Sequence, residues 1–285
     1  MPELPEVETV VRGLRGAGVV GCRISDVRVR WPRTLDGATV ARFRRVTTGR
    51  RITAVKRRAK YIVLTLEGGW TVLIHLRMTG RLHIVPGGTA ATKHDHVDLG
   101  LEDGRVVRFT DSRKFGRWLL TRNPEAILGR LGPEPLDRAF TITRFCNVLA
   151  GRRGMLKPLL LNQTVLAGLG NIYVDEALWE AKLHPCTAAE TLTAAQQRAL
   201  RAAIRATLRR GVAAAGTTLG TGSTNFYSVA GRRGRNQDGL RVFRRTGEPC
   251  PRCGSIIQRL VVGQRSTHVC PYCQELKACR SARLR

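Results

Sequence analysis

The sequence predicts an α+β protein of more than one domain, and three observations lead to this prediction. From about residue 20 to residue 120, short apolar and alternating segments follow one another closely, which is typical of an antiparallel β-sandwich. After Gly132-Pro133-Glu134-Pro135 the hydrophobic pattern becomes helical. Two Cys-x-x-Cys pairs then lie close to the C-terminus. A chain of 285 residues is long enough for two domains and a small appendage.

The β-rich part contains a clear hairpin signal. Apolar residues run from Tyr61 to Leu66 and again from Trp70 to Leu76, and Gly68-Gly69 between them favours a tight turn. Alternating segments precede and follow this hairpin: Val27, Val29 and Trp31, then Val97, Leu99 and Leu101, then Val106, Val107 and Phe109. We expect a helix that begins after Pro5 to pack against the edge of the sandwich.

The best-defined helix of the middle region begins at a capping box, Thr193-Ala194-Ala195-Gln196. Apolar residues behind it form one stripe: Leu200, Ile204, Leu208 and Val212. Arginines form a second stripe, which we interpret as a solvated face: Arg198, Arg201, Arg205 and Arg209. The stretch from Gly216 to Gly239 is rich in glycine, serine and arginine and is predicted to be a mobile loop.

The cysteine spacing near the C-terminus predicts a metal site. Sixteen residues separate two pairs of thiols, which are Cys250 and Cys253, then Cys270 and Cys273. Two such knuckles supply four thiolates for one tetrahedral Zn²⁺, and four sulfur ligands leave no open position, so the zinc is structural. Two disulfides are the alternative, which a reducing compartment disfavours. We expect the metal to hold a β-hairpin that presents Arg259 or Arg265.

The charge of the chain points to a polyanionic partner. Lysine and arginine exceed the acids by enough to give a formal net charge of +28, and nucleic acid is the first candidate. An anionic membrane surface is the alternative, although no apolar run is long enough to span a bilayer. Glu3, Glu6 and Glu8 stand where a secretory leader needs positive charge, so the sequence predicts a bacterial cytoplasmic protein with access to the chromosome.

The N-terminal residues Met1-Pro2-Glu3-Leu4-Pro5-Glu6 allow two interpretations. Removal of Met1 would make Pro2 a secondary amine, which titrates near neutrality at about 7.7–8.0 and is a nucleophile able to form a Schiff base. Carboxyl groups at Glu3 and Glu6 could then move protons. The alternative is an ordinary helix start, with proline early and acids in the first turn. From these residues alone the helix start is favoured.

A set of motifs, taken in order along the chain, resembles one known family. The motifs are Pro2 to Glu8 (PELPEVE), Arg57 to Tyr61 (RRAKY), His75 to Gly80 (HLRMTG), Asp111 to Gly116 (DSRKFG), Leu131 to Leu136 (LGPEPL), Gly168 to Tyr173 (GLGNIY) and the four cysteines. No single motif is decisive, but their joint order and spacing match the formamidopyrimidine-DNA glycosylase family. The resemblance covers nearly the whole chain.

The resemblance implies a bifunctional base-excision-repair enzyme that acts on damaged double-stranded DNA. It would remove oxidised purines, mainly 8-oxoguanine and formamidopyrimidines, and then nick the strand by β- and δ-elimination. Pro2 would be the nucleophile, Glu3 would help to open the deoxyribose ring, and Glu6 would orient Pro2. Lys60 would hold the phosphate next to the lesion, and Arg265 would be a further clamp on the DNA backbone. No catalytic metal or redox cofactor is implied.

The resemblance also implies a set of DNA-binding residues. An extruded base leaves a hole in the duplex, and the residues matching the family's fillers are Met78, Arg113 and Phe115. From the residues alone, Met78 and Phe115 would be interpreted as core residues and Arg113 as a surface charge. Further predicted contacts to DNA are made by His75, Lys157 and Asn171, of which Asn171 opens a helix after Gly168-Leu169-Gly170. The backbone clamps His75 and Arg265 could equally be solvated cations.

The implied domains are a catalytic β-sandwich at residues 1–131, a helical helix-two-turn-helix domain with a mobile lesion loop at 132–240, a zinc finger at 241–275 and a basic tail at 276–285. We expect a monomer. The segment from Thr217 to Gln237 differs from the usual pattern of the family. The tail also runs past the point where many relatives stop.

Two alternatives of function remain open at this point. An endonuclease VIII-like enzyme would share Pro2, Glu3 and the finger but would prefer oxidised pyrimidines, whereas the filler set and the LGPEPL segment favour the purine branch. A non-catalytic zinc protein that binds DNA would explain the charge and the finger. It would give no reason for Pro2, Glu3 and Glu6 to stand together.

Overall fold

The computed structural model of the chain describes residues 1–220, 222 and 225–276, and these form two compact units. The first unit contains Met1–Arg130 and Gly211–Asp238, and the second contains Leu131–Arg210 and the chain from Gly239. The helices are α1 Leu4–Gly16, α2 Val40–Thr47, α3 Glu125–Leu128, α4 Ile142–Leu149, α5 Leu156–Leu161, α6 Asn171–Glu180 and α7 Ala194–Ala213. The strands are β1 Ile24–Val29, β2 Leu35–Asp36, β3 Ile52–Arg58, β4 Tyr61–Leu66, β5 Trp70–His75, β6 Arg81–Pro86, β7 Asp95–Leu101, β8 Arg105–Thr110, β9 Arg117–Thr121, β10 Gln258–Val262 and β11 Arg265–Val269.

The first unit is the predicted β-sandwich. One sheet has the order β1-β7-β8-β6 and is antiparallel throughout. The other has the order β2-β9-β5-β4-β3 and is antiparallel except for the short parallel pair β2–β9. Apolar side chains from both sheets and from α1 share a single core. Of the alternating segments, this core contains Val27, Val97, Leu99, Leu101, Val107 and Phe109 but neither Trp31 nor Val106, which are half-buried.

The predicted hairpin joins β4 to β5, with Tyr61 opposite His75 and Leu66 opposite Trp70. Helix α1 lies against β3, the edge strand of its sheet, and against β4, as expected from its apolar face. Helix α2 was not predicted. It is short and arginine-rich, and only Phe43 and Thr47 of its residues are buried, so its apolar stripe is too narrow to recognise in the sequence.

The segment Gly211–Asp238 packs in the first unit, although the sequence placed it in a helical domain at 132–240. Two apolar residues of this segment, Phe226 and Val229, are buried in the core of the sandwich. Thr218 anchors it further, because its hydroxyl donates to the carbonyl of Phe226 at 2.7 Å and its amide donates to Gln237 Oε1 at 3.0 Å. The described part of the predicted loop is therefore held at both ends.

The second unit combines helices α4 to α7 with the β10–β11 hairpin. The capping box of α7 is confirmed, since Gln196 Oε1 accepts from the Thr193 amide and Thr193 Oγ1 accepts from the Gln196 amide. The solvated interpretation of the arginine stripe is wrong for two members. Arg201 donates to the carbonyl of Phe140, and Arg205 donates to the carbonyls of Pro135 and Asp137, so both hold the preceding segment against α7. Of the basic tail predicted at 276–285, only Leu276 is among the described residues.

Candidate active site and nucleic-acid interface

The N-terminal turn of the first unit buries two carboxyl groups beside Pro2. Glu3 is 2% exposed and Glu6 is 1% exposed, and Pro2 is buried as well. Glu3 is the N-cap of α1, and its amide donates to Glu6 Oε2 at 2.8 Å. The helix start is therefore real, and Glu3 and Glu6 form its capping box, yet both acids are buried and not solvated. Two buried acids at a chain terminus are instead typical of a site that performs proton transfer.

Glu6 also connects the N-terminal helix to the segment Gly211–Asp238. Its second oxygen, Oε1, accepts from the amide of Thr217 at 2.7 Å. Both oxygens of this carboxylate thus accept from backbone amides. One amide, of Glu3, is 3 residues away in the sequence, and the other, of Thr217, is 211 residues away. The predicted orienting role of Glu6 toward Pro2 stays a prediction, and the contact with Thr217 was not foreseen.

Lys60 and His75 lie together where two strands end. Lys60 immediately precedes β4, in the turn that joins it to β3, and is only 4% exposed, while His75 ends β5 with its ring 4.8 Å from the ring of Tyr61. Burial, helped by the nearby charges of Arg77 and Lys60, lowers the pKa of His75 to about 3. His75 is consequently neutral at pH 7, which corrects its interpretation as a solvated cation.

The hydrogen bonds of His75 determine which ring nitrogen carries the proton. The amide of Arg77 donates to Nδ1 of His75 at 3.0 Å, so in the neutral ring the proton lies on Nε2. A neutral imidazole that presents an N–H can donate one hydrogen bond to a phosphate oxygen. The predicted contact of His75 with DNA therefore stays chemically possible without a charge on the ring.

The filler residues Met78, Arg113 and Phe115 are on the surface of the first unit. Met78 is 38% exposed and Phe115 is 47% exposed, so the core-packing interpretation of both is wrong. The guanidinium of Arg113 lies 4.8 Å from the centre of the Phe115 ring. Large apolar side chains held in water beside a stacked arginine are typical of a binding surface.

The four cysteines of the second unit form the predicted metal site. Their Sγ atoms all lie within 4.8 Å of one another, with 3.4 Å between Cys253 and Cys270 and 4.0 Å between Cys250 and Cys273. Tetrahedral zinc with Zn–S bonds of about 2.3 Å requires sulfur atoms separated by roughly 3.8 Å, so the donor set fits Zn²⁺. The indole of Trp179 donates to Cys250 Sγ at 3.4 Å and so ties the site to α6.

Asn171 and Lys157 converge on one carbonyl of strand β11. Asn171 Nδ2 donates to the carbonyl of Ser266 at 2.8 Å, and Lys157 Nζ donates to the same oxygen at 2.9 Å. Ser266 follows Arg265, which is exposed at the start of the strand. The side chain of Lys157 is 0% exposed, so the prediction of a direct contact with DNA does not describe this conformation.

Sequence reasoning missed the partner of Lys157. Asp175, also 0% exposed, accepts from Lys157 Nζ with Oδ1 at 2.6 Å, and its Oδ2 lies 3.0 Å from both the amide and Nδ1 of His268. The neighbouring acid, Glu176, accepts from the amides of Arg241, Val242 and Phe243, and burial raises its pKa. Two consecutive acids inside the otherwise apolar run from Ile172 to Trp179 were the signal that could have indicated buried polar contacts.

Comparisons with known proteins agree with this architecture. The formamidopyrimidine-DNA glycosylase N-terminal domain matches residues 1–118, the formamidopyrimidine-DNA glycosylase H2TH domain matches 131–223, and the zinc finger found in FPG and IleRS matches 247–276. The formamidopyrimidine-DNA glycosylase of Protochlamydia amoebophila is 46% identical over 96% of this chain and 100% of its own length. The chain belongs to the formamidopyrimidine-DNA glycosylase family.

Solved structures give the same result. The structure of the MutM (FPG) protein from Thermus thermophilus superposes with a TM-score of 0.85 at 40% identity, over 97% of this chain and 100% of that one. The complex of Lactococcus lactis FPG with DNA containing FAPY-dG superposes with a TM-score of 0.87 at 34% identity, over 96% and 100%. The predicted sandwich, helix-two-turn-helix region and zinc finger are thereby confirmed. Along the described chain, no helix is both long enough and apolar enough for a membrane span.

Proposed function

We propose that this protein is a DNA glycosylase of base-excision repair that removes oxidised purines from damaged duplex DNA and then cuts the strand. The observation that carries the proposal is the burial of Glu3 and Glu6 beside Pro2 in a chain of this family. The family name and the FAPY-dG complex of the Lactococcus lactis relative support the substrate class. The preference for 8-oxoguanine and formamidopyrimidines over oxidised pyrimidines is part of the proposal.

The reaction begins at the amine of Pro2 after Met1 has been removed. This amine attacks C1′ of the damaged nucleotide, the glycosidic bond breaks, and the base leaves with a proton. Glu3 supplies the proton that opens the deoxyribose ring, which gives an iminium ion joined to Pro2. The iminium acidifies the protons on C2′, so elimination of the 3′ phosphate and then of the 5′ phosphate follows.

The base must leave the stack before Pro2 can reach its sugar, because a paired base inside a duplex is inaccessible. The exposed positions of Met78 and Phe115 suit insertion into the duplex, and the Arg113 guanidinium can donate to the orphaned base on the opposite strand. Unstacking costs a few kcal/mol per step, which inserted side chains partly offset.

Phosphate contacts supply affinity without sequence preference, as a scanning enzyme requires. In the first unit the donors are Lys60 and the Nε2–H of His75, and in the second they are Asn171 and Arg265. Lys157 acts through Ser266, whose carbonyl it shares with Asn171. The four cysteines hold a zinc ion that stabilises the hairpin carrying Arg265 and has no open coordination position for catalysis.

The setting of this activity follows from the same chemistry. A net charge of +28 suits attraction to chromosomal DNA, and we expect the protein to act as a monomer in the cytoplasm of a bacterium.

The proposed substrate is tested with matched duplexes that carry 8-oxoguanine opposite cytosine or thymine glycol opposite adenine. Faster cutting of the 8-oxoguanine duplex supports the proposal. Faster cutting of the thymine glycol duplex would favour an endonuclease VIII-like preference. Binding of both duplexes without cutting of either would indicate a non-catalytic protein.

A further inference from the structure

One fully buried carboxylate, Asp111, lies beneath the two loops that carry the filler residues. The first loop follows β5 and contains Met78 and Thr79, and the second follows β8 and contains Arg113 and Phe115. The side chain of Asp111 is 0% exposed. A buried carboxylate requires several donors to offset its lost hydration, and Asp111 obtains them from both loops.

The contacts of Asp111 join the two loops directly. Its Oδ1 accepts from the Thr79 hydroxyl at 2.5 Å and from the Arg113 amide at 3.2 Å, and its Oδ2 accepts from the Gly116 amide at 2.7 Å. The Arg113 amide also lies 3.3 Å from Thr79 Oγ1, so the hydroxyl of Thr79 donates to one loop residue and accepts from another. Thr79 thereby connects the first loop to the second by hydrogen bonds to Asp111 and Arg113.

The backbone of Asp111 is itself fixed by a neighbouring strand. The ring Nε2 of His96 lies 2.7 Å from the carbonyl of Asp111, and the amide of Asp111 donates at 2.9 Å to the carbonyl of His94, which stands just before β7. His96 is 3% exposed and belongs to β7. The backbone of Asp111 is thus held against the sheet, while its carboxylate accepts hydrogen bonds from the two loops.

Close packing removes the remaining freedom of the loops. Each loop ends in a glycine that presses on the buried ring of Phe109. A Cβ at Gly80 would lie 2.9 Å from Cε2 of this ring, and a Cβ at Gly116 would lie 2.4 Å from its Cζ. Neither loop can therefore shift toward the core, and the hydrogen bonds to Asp111 prevent a shift away from it.

We propose that Asp111 and Thr79 are positioning residues that fix Met78, Arg113 and Phe115 relative to one another, so that the three side chains enter the duplex as one preorganised group. The inference rests on the proposed function. Loops ordered before binding do not lose conformational entropy when the base is extruded. A carboxylate suits this position because all its partners donate, whereas an amide would present N–H groups to one of them.

The test compares Thr79→Val with Thr79→Ser. Valine has the shape of threonine without the hydroxyl, and serine keeps the hydroxyl. We expect Thr79→Val to slow release of 8-oxoguanine from duplex DNA by about ten- to a hundredfold, the effect of a small misplacement of binding groups. Its discrimination between cytosine and adenine opposite the lesion should narrow, because Arg113 is no longer fixed. Thr79→Ser should keep both properties close to those of the unsubstituted protein.

A second substrate separates positioning from general damage to the fold. A single-stranded oligonucleotide with a preformed abasic site has no stack to fill, so Thr79→Val should cut it at the unsubstituted rate. If Thr79→Val slowed the reaction on both substrates by the same factor, the inference would be overturned. Unchanged excision from the duplex together with unchanged discrimination of the opposite base would overturn it as well. Thr79→Ala removes the same hydroxyl with a smaller side chain and provides the same comparison where the valine variant does not fold.

A double substitution identifies the route of the effect. Once Phe115→Ala has removed the inserted ring, Thr79→Val should add less to the loss of duplex excision than it does alone. Fully additive losses would contradict action through the loop. Failure of the proposed function is distinguishable, since the unsubstituted protein would then excise no lesion and cut no abasic site.

Discussion

Lys157 Nζ lies 2.6 Å from Asp175 Oδ1, and neither side chain has any exposed surface. This ion pair joins α5 to α6, and through Ser266 and His268 it joins both helices to strand β11. A buried pair gains little over an apolar replacement of both partners, but it becomes costly when one partner is removed. Its position indicates that the pair fixes the hairpin next to Asn171 and Arg265.

Lys157→Met should therefore destabilise the protein by about 3–5 kcal/mol, because the carboxylate of Asp175 stays buried without its cation. Urea denaturation followed by tryptophan fluorescence measures this change. Lys93→Met is the matched control, since Lys93 is exposed and should change stability by less than about 0.5 kcal/mol. Equal small effects of the two substitutions would contradict the structural role of the pair.

The stability of the protein should fall as the pH falls from about 6.5 toward 3 because of His75. The pKa of His75 is lowered from 6.5 to about 3, so in this window the unfolded chain binds a proton that the folded chain does not. The contribution is fully present above pH 6.5 and is lost progressively below it. His83 and His184, whose pKa values burial also lowers, act with the same sign.

Denaturation curves measured from pH 8 to pH 4 on the unsubstituted protein and on His75→Gln isolate the share of His75. Glutamine can accept the hydrogen bond from the Arg77 amide but does not titrate. The stability of the His75→Gln protein should therefore depend less steeply on pH. Identical slopes for the two proteins would show that His75 titrates with the same pKa in the folded and unfolded states, which would contradict the expected shift.

Glu6→Gln should weaken the attachment of the segment Gly211–Asp238 to α1 at Thr217. The glutamine amide would present N–H groups to the amide of either Glu3 or Thr217, and a buried donor left without an acceptor costs about 1–3 kcal/mol. We expect faster hydrogen exchange at the Thr217 amide and slower release of the damaged base. Glu275→Gln, an exposed glutamate, is the control. Unchanged hydrogen exchange at the Thr217 amide would show that the hydrogen bond to Glu6 does not hold this segment.

Cys253→Ser should release the zinc and weaken binding to DNA. With three thiolates the site loses affinity for the metal, and the β10–β11 hairpin, which is too small to fold by itself, loses its support. Metal content by mass spectrometry and DNA affinity by fluorescence anisotropy measure the two effects. Cys22→Ser, a cysteine far from the site in sequence, should affect neither. Full affinity in a zinc-free Cys253→Ser protein would separate the finger from DNA binding.

Local signals in the sequence predicted the elements whose causes are local. The hairpin at Gly68-Gly69, the capping box at Thr193 and the four-cysteine site each depend on residues within a few positions, or on a fixed spacing, and all three are confirmed. The N-terminal motif gave the position of the buried acids through resemblance rather than through geometry.

Contacts between distant residues were beyond the same reasoning. Asp175 meets His268 across 93 positions, and Glu6 meets Thr217 across 211. A carboxylate that will be buried by such a partner looks in the sequence like any surface acid, because its partner is chosen by the fold. The same cause explains why Arg201 and Arg205 of α7 were assigned to solvent and why the contact of Phe226 and Val229 with the sandwich core was not predicted.

The central claim is that the amine of Pro2 becomes bonded to deoxyribose during turnover, and borohydride trapping tests it most directly. Incubation of the protein with 8-oxoguanine duplex and borohydride, followed by proteolysis and mass mapping, should give a DNA adduct on the N-terminal peptide at Pro2. Pro2→Gly should retain most of its DNA affinity but release the base much more slowly. A trapped adduct on an internal lysine, or full activity in protein that still carries Met1, would contradict the account.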